Sequence, residues 1–310
     1  MKYTNTNKPI VCMMTNSSCY KGTEKMTIKG ILWHSTGANN PSLKRYVQPS
    51  ENDPNYNNLI KLIGENKYHN DWNHINNKAG LNAWVGKLAD GTVASIQTMP
   101  WDYRPWGCGK GSKGSCNDGW IQFEICEDNL KNEEYFNAVY KEACEITAYL
   151  CKMYNIDPKG TVKHNGVVVP TILCHKDSAN LKLGSNHSDV LHWFKKYNKS
   201  MDNVREDVQN LLEGKEIGKK VDVIYQSWDD KKNRWLNNIT NDTDYSGNMG
   251  NAICAIRAHL TSGDCVYRVH TLGGKWSKEI TNRNPYAGTF NKPIDAFMIK
   301  SKNKKIKIRY

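Results

Sequence analysis

Two short apolar runs in this chain each end on a histidine, and that arrangement restricts the fold more than any other feature. Ile31-Leu32-Trp33-His34-Ser35-Thr36-Gly37 is the first, and Val168-Val169-Pro170-Thr171-Ile172-Leu173-Cys174-His175-Lys176-Asp177 is the second. Runs of this kind read as buried strands whose last residue is delivered into a cleft. Leu183-Gly184-Ser185-Asn186-His187-Ser188-Asp189 follows closely and carries a third histidine. Three histidines at strand or loop ends suit a catalytic zinc with three protein ligands and an open fourth position for water.

The surrounding pattern is that of an α/β domain. Gly30 to Trp33 and Asn82 to Leu88 read as strands, and Ala89-Asp90-Gly91 turns the latter into Thr92 to Gln97, an Asp-Gly hairpin signal. Trp120-Ile121-Gln122-Phe123-Glu124-Ile125-Cys126 alternates as a further strand. Between Glu133 and Asn155, the residues Phe136, Val139, Tyr140, Ala143, Cys144, Ile146, Thr147 and Leu150 recur at helical spacing, which predicts a long amphipathic helix packed on the sheet. Further helices are expected over 41–47, 57–66 and 200–213.

Composition sorts the remaining possibilities. Hydrophobic residues make up 38% of 310, with no apolar run long enough to span a membrane. The N-terminal residues lack the apolar segment of a secretory signal, so the expectation is synthesis in the cytoplasm. Ten cysteines are scattered without a CxxC pair, which gives little support to a disulfide framework or a zinc ribbon. Charge divides the chain: residues 219–310 carry 17 Lys plus Arg against 8 Asp plus Glu, whereas residues 1–218 carry 26 against 23. A basic C-terminal third suits an anionic partner.

Glu213 to Lys220 is polar and glycine-bearing, so the expected division is a domain over 1–213, a linker over 214–220 and a β domain over 221–310. The last of these repeats itself. Tyr225, Trp235, Tyr245, Gly247, Ile253 and Ala255 recur as Tyr267, Trp276, Tyr286, Gly288, Ile294 and Ala296, at an offset of 42 for the first pair and 41 for the others. A duplicated β unit that buries a shared core is the expectation, with Lys304 to Tyr310 as a closing strand.

Over roughly residues 8–212 the chain resembles the zinc-dependent N-acetylmuramoyl-L-alanine amidases of the type-2 group, which share the peptidoglycan recognition protein fold and include many phage endolysins. The resemblance is carried by Trp33-His34-Ser35-Thr36-Gly37, the Asp90-Gly91 hairpin, Arg104-Pro105-Trp106-Gly107-Cys108-Gly109, Ile121 to Cys126 and Cys174-His175-Lys176-Asp177. It implies a mixed central sheet flanked by helices, and hydrolysis by zinc-activated water of the amide between N-acetylmuramic acid and L-alanine. By the same resemblance His34, His175 and His187 would hold zinc, with Asp189 competing for the third place, and Glu124 would be the proton shuttle. Trp106 would line the cleft, and Ser185 or Asn186 would contact the transition state. Ser185 stands where relatives often carry a lysine, and Ala83 where some carry a tyrosine, so those contacts are not fully assigned.

The implied partner is cell-wall peptidoglycan, with anionic wall polymers for the basic tail and action at the wall after release from the cell. Neither nucleic-acid binding nor a membrane span is expected. A non-catalytic peptidoglycan-binding protein is the alternative, and a thiol peptidase using Cys174 or Cys126 is a more distant one.

Overall fold

The computed structural model describes residues 1–4, 6–217, 221–261, 263–282, 285–302 and 308. Two compact units divide the chain, Met1–Gly218 and Lys219–Tyr310. The proposed linker's residues 218–220 and nearly all of the closing strand expected at 304–310 lie outside the described residues.

In the first unit the elements run β1 (Ile10–Val11), α1 (Ser18–Gly22), β2 (Gly30–Ser35), α2 (Tyr56–Ile63), β3 (Ala83–Lys87), β4 (Val93–Gln97), β5 (Trp120–Ile125), α3 (Glu133–Tyr154), β6 (Thr161–His164), β7 (Val167–Pro170), β8 (Ile172–Cys174), α4 (His175–Asn180), α5 (Leu191–Phe194) and α6 (Met201–Leu212). The main sheet is mixed, in the order β1-β4-β3-β5-β2-β8. Its β3–β4 hairpin is antiparallel, and β5, β2 and β8 are parallel neighbours. Gly91 takes φ +85° in the hairpin turn, where a side chain would be strained.

Period-two alternation settles which face each strand residue serves. Ile31, Trp33, Ile121, Phe123 and Ile125 pack with Phe136, Val139, Tyr140 and Ala143 of α3 in one core. Each of these side chains, fully withdrawn from water, contributes about 1–3 kcal/mol. Asn132 caps α3 by accepting the Tyr135 N–H at 3.0 Å, and such a cap is worth about 1 kcal/mol. The opposite face of the same strands therefore carries Leu32, His34, Gln122 and Glu124.

One expectation is corrected. The run Val168 to His175 is not one strand, because β7 pairs with β6 in a separate two-stranded sheet and only β8 joins the main sheet. Asn165 at φ +49° and Gly166 at φ +76° form the turn of that hairpin, and Thr171 links the two strands. His175 is then the first residue of α4 rather than a strand residue.

The second unit runs β9 (Val223–Asp229), β10 (Arg234–Trp235), β11 (Ile239–Thr240), β12 (Ile253–Leu260), β13 (Cys265–Thr271), β14 (Ile280–Thr281), β15 (Ala287–Gly288) and β16 (Ile294–Ser301). The pairs β9–β12 and β13–β16 are long antiparallel ladders, and Ala258, Leu260, Tyr267, Val269 and Ile299 join one core. The sequence repeat reappears in the contacts. Asn241 accepts from Val223 N at 2.9 Å and donates to Asp222 at 2.7 Å; Asn282 accepts from Cys265 N at 3.0 Å and donates to Asp264 at 2.5 Å. Both asparagines have left-handed backbones, φ +53° and +55°.

Candidate metal centre

Parallel strands β5, β2 and β8 lie side by side, and the open crevice of such a sheet forms at their carboxyl ends. His34 pairs with Glu124 in register and Trp33 with Cys174, so His175 emerges level with His34. The two imidazoles meet through Nδ1, 3.1 Å apart. Asp189 closes the group, with Oδ2 3.1 Å from His34 Nδ1 and Oδ1 3.4 Å from His175 Nδ1. Among the described residues, these three form the group of metal-ligand type, with ligand atoms within 4.8 Å of one another.

The hydrogen bonds around the histidines fix their protons. Asn117 Oδ1 accepts from the backbone N–H groups of Gly107 and Cys108, both at 3.2 Å, so that atom must be oxygen. The Gln122 amide therefore turns its nitrogen to Asn117, at 2.9 Å, and its oxygen to His34 Nε2, at 2.8 Å. His34 accordingly carries its proton on Nε2 and presents a bare lone pair from Nδ1. His175 behaves alike: its Nε2 donates to Ser185 Oγ at 3.1 Å, and that hydroxyl passes its own proton to the Cys108 carbonyl at 3.2 Å. Two lone pairs and a carboxylate converge, an arrangement that repels itself unless a cation sits among them. The donor set, two imidazoles and one carboxylate, fits zinc.

Asp189 stays a carboxylate in either charge state of its neighbours. When His34 and His175 also carry protons on Nδ1, burial works against the anion, but hydrogen bonds and charge from His175 and His34 hold its pKa below the ordinary range. When Nδ1 is bare, a cation would supply that charge. Glu124 lies on the same sheet face as His34, and its Oε2 is buried without a hydrogen-bond partner. Burial, reinforced by Asp189 and Glu127, pushes its pKa well above the usual carboxylate value. A cation in the cluster would reverse that shift and leave Glu124 ready to accept a proton.

The expected third ligand, His187, lies outside the group that Asp189 completes. His187 is exposed, and its Nδ1 lies 3.2 Å from His175 Nε2, on the edge of that ring turned away from His34 and Asp189. The reason is local. His187 N–H bonds back to Ser185 O at 3.1 Å in an exposed turn, whereas Asp189 precedes Val190, which is fully buried in the core. The anchor at 190 directs the side chain at 189 inward.

The other expected contact residues have partners within the protein. Ser185 spends its hydroxyl on His175 and Cys108, and the Asn186 side-chain oxygen accepts from Lys176 Nζ at 2.9 Å. Trp106 is 38% exposed, with the Arg104 guanidinium 5.1 Å from its ring. Its neighbour Gly107 has no room for a side chain, since a Cβ would stand 2.4 Å from Gln122 Oε1 and 3.2 Å from His34 Nε2. The thiols are poor nucleophiles: burial pushes Cys174 up to about 12 and Cys126 well above its ordinary value.

Sequence reasoning passed over Gln122 and Asn117. A polar residue two places before Glu124 on an otherwise apolar strand was the available signal. Gln122→Leu is expected to lower zinc affinity about 10- to 100-fold, the range for a lost partner of a ligating histidine. Competition with a chelating dye measures it, with an unchanged melting temperature as the control for folding.

Comparison with known proteins places the chain. Residues 24–189 match the family described as N-acetylmuramoyl-L-alanine amidase. No curated protein matches the chain significantly. Similar solved structures include the Staphylococcus aureus hydrolase AmiA in complex with its ligand, at 18% identity over 70% of this chain and 85% of that one, with a TM-score of 0.39. PlyL is similar at 18% identity over 64% and 93%, with a TM-score of 0.41. A mutant endolysin from Bacillus subtilis is similar at 16% identity over 64% and 97%, with a TM-score of 0.40.

Proposed function

We propose a reaction for this chain, which belongs to the N-acetylmuramoyl-L-alanine amidase family: zinc-dependent hydrolysis of the amide joining the lactyl group of N-acetylmuramic acid to L-alanine in peptidoglycan. The observation that carries it is the convergence of His34 Nδ1, His175 Nδ1 and the Asp189 carboxylate, with both histidine protons committed elsewhere. These residues would hold the metal. When bound, zinc supplies Lewis acidity and makes a water acidic enough to attack near neutral pH.

This chain's own residues do the rest. Glu124 takes the proton from the attacking water and returns it to the departing nitrogen, which leaves as a neutral amine. Gln122 and Ser185 keep the imidazoles in the tautomer that aims Nδ1 inward. Trp106, half-exposed beside Gly107, offers an apolar wall for sugar or peptide. The presence of both ligand-type histidines, Asp189 and Glu124 favours catalysis over a binding-only role.

The basic second unit would serve as a wall anchor for an endolysin-type enzyme, raising the local concentration of the catalytic unit at an insoluble substrate. Among the described residues no helix is long and apolar enough to cross a membrane. Stripping the protein with a chelator is expected to abolish clearing of a purified cell-wall suspension, and adding zinc back to restore it. Full clearing by the stripped protein, with metal content verified as nil, would remove the metal from the mechanism.

A further inference from the structure

The two halves of the second unit keep one chemical pairing while changing where it comes from. Trp235 and Trp276 are equivalent in the repeat, 41 residues apart. The Arg257 guanidinium lies 4.1 Å from the Trp235 ring centre, and the Arg268 guanidinium 4.9 Å from that of Trp276. These arginines are not equivalent in sequence. Arg257 on β12 faces Gln226 across the ladder, and Arg268 on β13 faces Met298. At the repeat offset, Gln226 corresponds to Arg268 and Arg257 to Met298. Each half therefore holds one arginine in the same cross-strand pair, on opposite strands, and each arginine lands on the equivalent tryptophan.

Both sites look outward. Their strand neighbours Ala258, Tyr267 and Val269 point into the shared core, so alternation turns Arg257 and Arg268 to the outer faces of their ladders. The first site is broadened by Trp228, whose ring centre is 5.7 Å from that of Trp235, and by Tyr286 stacked on Phe290 at 4.6 Å. Trp276 is 39% exposed and Phe290 40%. Among the described residues, no carboxylate pairs with either guanidinium. Flat aromatic faces accept the C–H faces of pyranose rings, and a guanidinium takes a carboxylate through two parallel N–H donors.

Resting on the amidase reading above, we propose that Trp235 with Arg257 and Trp276 with Arg268 are two equivalent binding sites for carboxylate-bearing sugar rings of a glycan strand, the strand that amide cleavage leaves behind. The chemistry balances. Water oxygen joins the lactyl carbonyl carbon, the C–N bond breaks, the nitrogen departs as the L-alanine amine, and each cut converts a neutral amide into a carboxylate on the sugar. The strand gains one anion per cut, which suits a unit whose residues 219–310 carry 17 cationic against 8 anionic side chains. The anchor would thus hold the chain on wall it has already cut, next to wall it has not.

The test uses the full chain and short glycan oligosaccharides stripped of peptides beforehand, either with free lactyl carboxylates or with those groups converted to methyl amides. Calorimetric titration is expected to give two oligosaccharides per chain with the free acid and about tenfold weaker binding with the amide, the value of one charged hydrogen-bonded contact. Trp235→Ala or Trp276→Ala should leave one site, and the double variant none. Arg257→Gln with Arg268→Gln preserves bulk and should remove the preference for the acid, which guards against tryptophan variants that fail to fold. Equal affinity for acid and amide, or full binding by the double tryptophan variant, would overturn the proposal. Because the probes are already stripped, cleavage of intact wall by the same preparation is scored separately: binding without cleavage counts against the amidase reading, and cleavage without binding counts against these sites.

Discussion

Asp189→Ala is expected to empty the metal centre, while His187→Ala leaves it filled. Wild-type protein should hold about one zinc per chain, as a centre with three protein ligands requires. The aspartate supplies the only negative charge in the group, its oxygens lying 3.1 and 3.4 Å from the two Nδ1 atoms. Removing it leaves two neutral ligands. His187 Nδ1 meets the Nε2 edge of His175 and the Ser185 hydroxyl, both at 3.2 Å, not the Nδ1 side where Asp189 lies. Zinc content by atomic absorption after dialysis reads the difference. Loss of zinc from the His187 variant with retention in the Asp189 variant would reinstate the histidine as third ligand.

Glu124→Gln is expected to lower turnover by about a hundredfold to ten-thousandfold, the usual weight of a general acid-base group. The substitution keeps the volume and removes the base. Zinc content should stay at the wild-type level because Glu124 is not among the converging ligands. The sign of the pH effect follows from the role: burial raises the pKa of Glu124 and a bound cation opposes that rise, but in either case the carboxylate is the working base, so activity should fall as acid is added and the group takes up a proton. The variant should lack that acid limb. Loss of zinc together with activity would make Glu124 a ligand or a fold determinant instead.

How much of this was legible in the chain varies with what decided each feature. His34 followed from an apolar run that had to be a buried strand, and the face shared with Glu124 followed from alternation along Trp120 to Ile125. α3 was plain because apolar residues recur at helical spacing from Tyr135 to Cys151, about four turns. The repeat in the second unit was visible because aromatic and glycine positions recur at a fixed offset, and Asn241 and Asn282 repeat the same turn. That Asp189 rather than His187 converges on His34 and His175 was not legible. They stand two residues apart, and the outcome depends on a turn at Ser185 and on Val190 being drawn into the core, which is a tertiary decision. The break between β7 and β8 was hidden for a similar reason: the run reads as one apolar segment, and only pairing with β6 assigns its first part elsewhere. Gln122 was hidden because its role is to orient another residue.

The most direct test of the central claim is the mass of what the protein releases from purified cell wall. Hydrolysis of the lactyl amide predicts stem peptides with new L-alanine N-termini and glycan strands with their glycosidic linkages intact, each cut adding one water. New reducing sugar ends, or peptides cut within the stem while L-alanine stays bound to the glycan, would contradict it.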